Sequence, residues 1–285
     1  MRWRRLFGKE APADGLHRRV DPLARVPRDD RGLPDVDAIG RHYGLPPELR
    51  RRVVGSARRS YKVEPAAAGA SRLGGTPDLP PSAAWPEYRG VPMTFFAQVR
   101  VDDPPPLEPA ASLPAGMLQF FWDEAYHDET DERGWCRVLH HDSSAPLERR
   151  PTPPGTRAEV DGHARDGEYD EVPARVEPWL SLDPALLDDV VDDDTFDAVA
   201  ETVGAVNGGH RLLGYAEPIQ GPPEAEAESY LPADAAPVLL LQLDCTPPFE
   251  RAGALGDAGA VYFLLPGDDL ARGRFDRAVA IMQCH

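Results

Sequence analysis

Met93-Thr94-Phe95-Phe96-Ala97-Gln98-Val99-Arg100-Val101 is a run of apolar and β-favouring residues with one amide and one arginine inside it. It reads as a buried strand, and Gly116-Met117-Leu118-Gln119-Phe120-Phe121-Trp122 reads as the next. The same texture returns late in the chain, where Val238 to Asp244 contains Leu239-Leu240-Leu241-Gln242-Leu243 and Gly259 to Leu265 contains Gly259-Ala260-Val261-Tyr262-Phe263-Leu264. Gly116 follows Gln98 by 18 residues and Gly259 follows Gln242 by 17, and Val138 and Ile281 each lie 22 residues beyond those glycines. Each cluster is preceded by a turn, Gly74-Gly75-Thr76-Pro77 or Gly214-Tyr215-Ala216-Glu217-Pro218. Three elements recurring in one order predict an internal duplication.

The expected fold is therefore α+β, with two similar, mainly antiparallel β halves packed into one unit with a few helices. Arg137 to His141 and Ala278 to Cys284 complete the expected strands. The first half covers about 60–145, a connecting loop and acidic helix 146–205, and the second half 206–285. Ser143 to Pro178 reads as polar, Pro/Gly-rich connection. Asp183 to Val203 reads as a helix, with Asp183 as N-cap and Pro184 at its first position. Pro46-Pro47-Glu48, followed by Leu49, Val53, Val54 and Ala57, predicts a shorter one. Residues 1–42 are basic and aperiodic and read as a flexible arm.

The chain has 285 residues and a formal net charge of −17. The charge is unevenly placed: residues 1–59 carry 15 Lys and Arg against 8 Asp and Glu, and the remainder 16 against 40. An acidic body repels phosphate backbones, which argues against nucleic-acid binding by the main domain and favours a basic protein partner. Three cysteines, Cys136, Cys245 and Cys284, form no Cys-x-x-Cys pair. With no apolar run of membrane-spanning length, they point to a reduced, cytoplasmic setting.

The five glutamines, Gln98, Gln119, Gln220, Gln242 and Gln283, all lie in strand motifs or beside the second turn. Strict alternation puts Phe95, Ala97 and Val99 on one face and Phe96, Gln98 and Arg100 on the other. It likewise puts Leu239, Leu241 and Leu243 opposite Leu240, Gln242 and Asp244. Gln119 then corresponds to Tyr262. An amide donates and accepts without the cost of burying charge, so these residues can line a ligand groove between the halves or satisfy buried backbone groups, and the second use is favoured. Gly208 to Tyr215 adds His210, Arg211 and Tyr215, an acid–base group and an anion holder with no marked nucleophile beside them. The candidate binding set is Gln98, Gln119, His210, Arg211, Tyr215, Gln220, Gln242 and Tyr262, and no catalytic residue is assigned. Cys136, His140, His141 and His127, with Asp123, Glu124, Asp128, Glu129 and Asp142, are metal-compatible types, but Cys136-x-x-x-His140 is half a zinc signature, and no metal or cofactor is expected. Asp192, Asp193, Asp194 and Asp197 lack the glycine and final glutamate of an EF-hand, and Gly74-Gly75 lacks the rest of a phosphate loop.

Ser71-Arg72-Leu73-Gly74-Gly75-Thr76-Pro77, Trp85-Pro86, Phe96-Ala97-Gln98-Val99, Gly116 to Phe121, His210 to Tyr215 with Pro218-Ile219-Gln220, Leu240 to Asp244, Gly256-Asp257-Ala258-Gly259 and Met282-Gln283-Cys284 together resemble the YwqG-like family of bacterial proteins. The resemblance covers about residues 60–285, and Ala216 interrupts the family's turn. It implies an α+β fold without established catalytic residues or cofactor. Some members are encoded near secreted toxins, which implies an immunity or accessory role. Two expectations follow: an interaction protein, toxin-neutralising in type, or a small-molecule binder or enzyme using the inter-half groove.

Overall fold

In the computed structural model, residues 35–42, 44–101, 113–123, 135–160, 163–183, 209–250 and 255–285 are described. The helix expected over 183–203 lies outside them beyond Asp183. So do His127, Glu124, Asp128, Glu129, the aspartates at 192–197 and the arm up to residue 34. The end of the stretch read as arm forms a helix, α1 (Val36–His42), followed by α2 (Pro47–Ser56) with proline at its start. Leu49 and Val53 of α2 are buried, but Val54, expected in the apolar stripe, is 43% exposed.

The strands run β1 (Arg58–Pro65), β2 (Ser71–Leu73), β3 (Asp78–Leu79), β4 (Glu87–Tyr88), β5 (Val91–Pro92), β6 (Thr94–Val101), β7 (Gly116–Trp122) and β8 (Cys136–His141). They continue with β9 (Glu148–Arg149), β10 (Arg157–Val160), β11 (His163–Asp166), β12 (Val172–Ser181) and β13 (His210–Leu212). After α3 (Pro223–Ala227) come β14 (Pro237–Asp244), β15 (Ala260–Pro266), α4 (Gly267–Ala271), a 3₁₀ turn at Phe275–Arg277 and β16 (Val279–Gln283).

Ten of these strands form one antiparallel sheet in the order β16-β15-β14-β13-β1-β12-β2-β6-β7-β8. This overturns the expected α+β pair of duplicated halves: the protein is mainly β, with short helices added to a single continuous sheet. The reason lies in β12, which falls largely within the stretch read as connection. It pairs with all eight residues of β1, from Arg58↔Ser181 to Pro65↔Ala174, and so welds the early and late strands together. Pro173 and Pro178 lack the N–H of a ladder donor, which is why β12 does not look like a central strand in sequence.

The sheet curls until its edges meet. Trp135 Nε1 donates to the Ala280 carbonyl at 3.1 Å, and Cys136 Sγ lies 3.2 Å from the Ala278 carbonyl oxygen, so neither edge is left as an open template. The Phe120 and Phe263 rings meet at 5.1 Å between distant strands of the sheet. Phe96 packs on Trp122, Tyr169 and Phe249.

Strict alternation fails at two places. Bulges between Phe95 and Ala97 and between Leu239 and Leu241 each insert a residue. Phe95 therefore sits with Phe121 while Phe96 sits with Trp122 on the other face, and Ala97 and Gln98 then pair with Phe120 and Gln119. Phe95 and Gln98 thus share a face, contrary to the simple period. Likewise Leu239 joins Tyr262, Leu264 and Ile281 in a cluster capped by Ala227 and Leu231, whereas Leu240 and Leu241 enter the main core.

Candidate functional site

Two short strands, β2 and β13, end in matching ways. Each carries an arginine and then turns through a glycine with positive φ, Gly74 at 62° or Gly214 at 87°. A Cβ on Gly74 would stand 2.3 Å from the Asp170 carbonyl oxygen, and one on Gly214 would stand 2.6 Å from Ser181 Cβ, so both turns need glycine.

Six residues after its arginine, each turn places a carboxylate that returns to it. Arg72 holds Asp78 with two nitrogens, at 2.6 and 3.1 Å, and Arg211 holds Glu217 at 3.0 Å. The backbone of the same acid is gripped from the sheet. The Asp78 N–H donates to Gln98 Oε1 at 2.9 Å and its carbonyl accepts from Gln119 Nε2. The Glu217 N–H donates to Gln242 Oε1 at 2.9 Å and its carbonyl accepts from the Tyr262 hydroxyl at 2.6 Å. We term these the first and second clasps. They fasten the segments that cover Gln98–Gln119 and Gln242–Tyr262, and they spend the amides on backbone groups that burial would otherwise leave unsatisfied.

Of the eight sequence-predicted residues, Gln98 and Gln119 come together in the first clasp, and Arg211, Gln242 and Tyr262 in the second; β1 and β12 separate the two groups. Tyr215 lies beside the second, where its N–H donates to Ser181 Oγ at 2.9 Å and its hydroxyl to the Ser56 carbonyl at 2.9 Å. Arg58 covers its ring at 4.0 Å. Gln220 is exposed, and its N–H, with that of Ile219, donates to the Oε1 of buried Gln283. Sequence reasoning missed Arg72, Asp78, Glu217, Lys62 and Trp179. The common six-residue step from Arg72 to Asp78 and from Arg211 to Glu217, each ahead of a glutamine strand, was the available signal.

Electrostatics separates the clasps. Burial works against the charge of Asp78, but hydrogen bonds from Arg72 and Gln98 and the charges of Arg72 and Arg149 outweigh it and hold its carboxyl below the ordinary value. Burial pushes the Tyr262 hydroxyl far up, keeping it a neutral donor. His210 is buried, and desolvation lowers its pKa against the opposing charge of Asp244. Its Nδ1 accepts the Asp244 N–H at 3.2 Å, which puts the ring proton on Nε2, 3.0 Å from Thr246 Oγ1 and 3.4 Å from the Pro247 carbonyl.

Beside the second clasp, where β13 starts at His210, the sheet has a cavity of about 360 Å³. Lys62, Trp179, His210, Arg211, Thr246 and Pro247 line it, with Lys62 Nζ 3.8 Å above the Trp179 ring. A shallower groove of about 600 Å³ lies beside the first clasp, against Thr76, Arg149 and Glu168.

A family model for a domain of unknown function, DUF1963, matches residues 71–284. The chain belongs to that family. No curated protein matches it. The DUF1963 match starts at the first residue of β2 and takes in both clasps; Lys62 and the rest of β1 lie ahead of it. No group of three or more metal-compatible ligands converges among the described residues of this DUF1963 protein. Cys136 is buried with its thiol pushed up to about 12 by desolvation, His140 Nε2 meets the Ala115 carbonyl, and His141 Nε2 meets Gln119 Oε1. No described helix is long and apolar enough to cross a membrane.

Proposed function

We propose that the protein binds a small molecule in the cavity at the start of β13. The observation that carries this reading is the meeting there of an indole face, an ammonium and a neutral, oriented imidazole in about 360 Å³. That size lies within the range of small-molecule sites, and a few placed polar groups on an apolar lining are their usual chemistry. The cavity takes over the role expected of a groove between halves. Thermal melting of the full chain against a metabolite panel tests it. A ligand at about 100 times its Kd adds about 2.7 kcal/mol and raises Tm, and Trp179→Leu abolishes the shift. Ligand shifts that survive Trp179→Leu and Lys62→Met together refute the site.

A second reading is supported by the charge partition: a cytoplasmic interaction protein, toxin-neutralising in type, that offers its acidic body to a basic partner. Its closer kinship with the YwqG-like proteins belongs to the same reading. Affinity purification at low and moderate salt is expected to yield one stoichiometric, basic, salt-sensitive partner, and a salt-insensitive complex removes its electrostatic basis.

A further inference from the structure

α2 carries a basic face on a protein whose body is acidic. Its inward side is apolar, with Leu49 and Val53 buried. A Cβ on Gly40 would stand 2.8 Å from the Arg50 stem, and the Arg50 guanidinium reaches Asp37 and the Leu45 carbonyl, at 3.1 and 3.2 Å, so this arginine holds the α1–α2 corner. Gly55 lies four positions after Arg51 and three after Arg52, so the three share the outward side, and all are exposed. A side chain at Gly55 would meet nothing within 4 Å, which leaves this side open to a flat surface. Val54 borders it and is, among the described residues, the exposed large apolar side chain, at 43%. The face is fixed to the sheet: the Tyr215 hydroxyl donates to the Ser56 carbonyl at 2.9 Å, and Arg58, itself exposed, covers the Tyr215 ring.

We propose that this face docks on an anionic phospholipid surface, with the acidic body turned away from it. The charge partition sets that orientation, since residues 1–59 carry 15 Lys and Arg against 8 Asp and Glu, and the remainder 16 against 40. Glu48 is the acid on this side and pairs with Arg51, but both side chains are exposed, at 70% and 74%, and such a pair contributes little and exchanges readily for a lipid phosphate. Ahead of α2, the sequence of residues 1–9 repeats the composition of the face: Arg2, Arg4, Arg5 and Lys9 alternate with Trp3, Leu6 and Phe7, and no acid interrupts them. Basic residues interleaved with aromatic and aliphatic ones suit the headgroup boundary, where the charges meet phosphate and the apolar groups leave water. Leu6 and Val54 offer a nucleic acid neither stacking nor hydrogen bonds, which favours lipid over nucleic acid as the partner.

The test is cosedimentation of the full chain with vesicles of phosphatidylcholine alone and of phosphatidylcholine with about one third phosphatidylglycerol. The protein is expected to bind the mixed vesicles and not the neutral ones, and to release them as salt rises. Replacing Arg51 and Arg52 together by alanine is expected to weaken binding about tenfold or more, because each basic residue near such a surface is worth about fivefold. Val54→Ser is expected to weaken it about threefold, and Arg272→Ala, an exposed arginine just after α4, to leave it unchanged. Failure to bind the mixed vesicles at low salt overturns the proposal. Undiminished binding by the Arg51→Ala, Arg52→Ala double variant, with that variant melting like the parent, also overturns it, because the affinity then lies outside this face. Tighter binding to a single-stranded oligonucleotide than to the mixed vesicles overturns it as well and makes the face a nucleic-acid surface.

Discussion

The two clasps do the same mechanical task with different surroundings. In the first, Asp78 is shared by Arg72, Gln98 Nε2 at 2.8 Å and Arg149 at 3.3 Å, with Arg149 tied in turn to Glu171. In the second, Arg211 holds Glu217 and stands beside Lys62 at the cavity. The first pair is 7% and 22% exposed and the second 9% and 12%, so burial does not distinguish them. Coordination does. A carboxylate held by two guanidinium groups and an amide is committed to the fold, whereas the arginine of the second clasp also lines the cavity.

Removing the carboxylates gives the largest expected effects. Asp78→Ala leaves Arg72 buried without its acid and is expected to cost about 3–5 kcal/mol in urea or thermal unfolding, while leaving the cavity's ligands unaffected. Glu217→Ala is expected to cost less, because Arg211 can turn toward the cavity, and to change ligand affinity. If Glu217→Ala costs the more of the two, the division between a structural and a binding clasp fails.

Acid separates the regions next. The folded-state pKa of His210 is lowered from 6.5, so its neutral form contributes stability that is complete above that pH and is lost as pH falls below it toward the folded value. The pKa of Asp78 is lowered from 3.8, so its contribution is present above that pH and is lost only as pH falls through its folded value. Stability curves are thus expected to show an early loss below about pH 6.5, reduced in His210→Asn, which keeps an acceptor for the Asp244 N–H. An unchanged loss in that variant assigns it elsewhere, with His141 the first alternative, since burial lowers its pKa as well.

The smallest effect is expected at Arg149, which is half-exposed and supplements a pair that Arg72 already satisfies. Arg149→Ala is expected to cost about 0.2–1 kcal/mol, falling with added salt. A cost near that of Asp78→Ala would mean that the first clasp is a single network and not a pair with an accessory.

Legibility in sequence followed burial. Strands buried on both faces, β6, β7, β14 and β15, are continuous apolar runs and are placed within a residue or two by reading. β1 and β12 mix charges and prolines because their exposed face is wet, and missing them turned one sheet into two halves. The glutamines were visible because an amide inside an apolar strand is conspicuous. Arg72, Asp78 and Glu217 were not, because charged residues in very short strands and beside turns look like solvent-facing residues until the chain folds back on itself. The cavity was invisible for a related reason: Lys62 and Trp179 lie 117 positions apart and meet only through the β1–β12 ladder.

The chain has five tryptophans, Trp3, Trp85, Trp122, Trp135 and Trp179, so indole N–H resonances of protein labelled with ¹⁵N-tryptophan give a readable map. Titration with the metabolite that raises Tm in the melting panel is the most direct test of the cavity. The account predicts that the Trp179 resonance, assigned by Trp179→Phe, shifts progressively and saturates while those of Trp85, Trp122 and Trp135 stay fixed. A saturating shift at Trp85 or Trp135 with Trp179 unmoved would place the site elsewhere and contradict it.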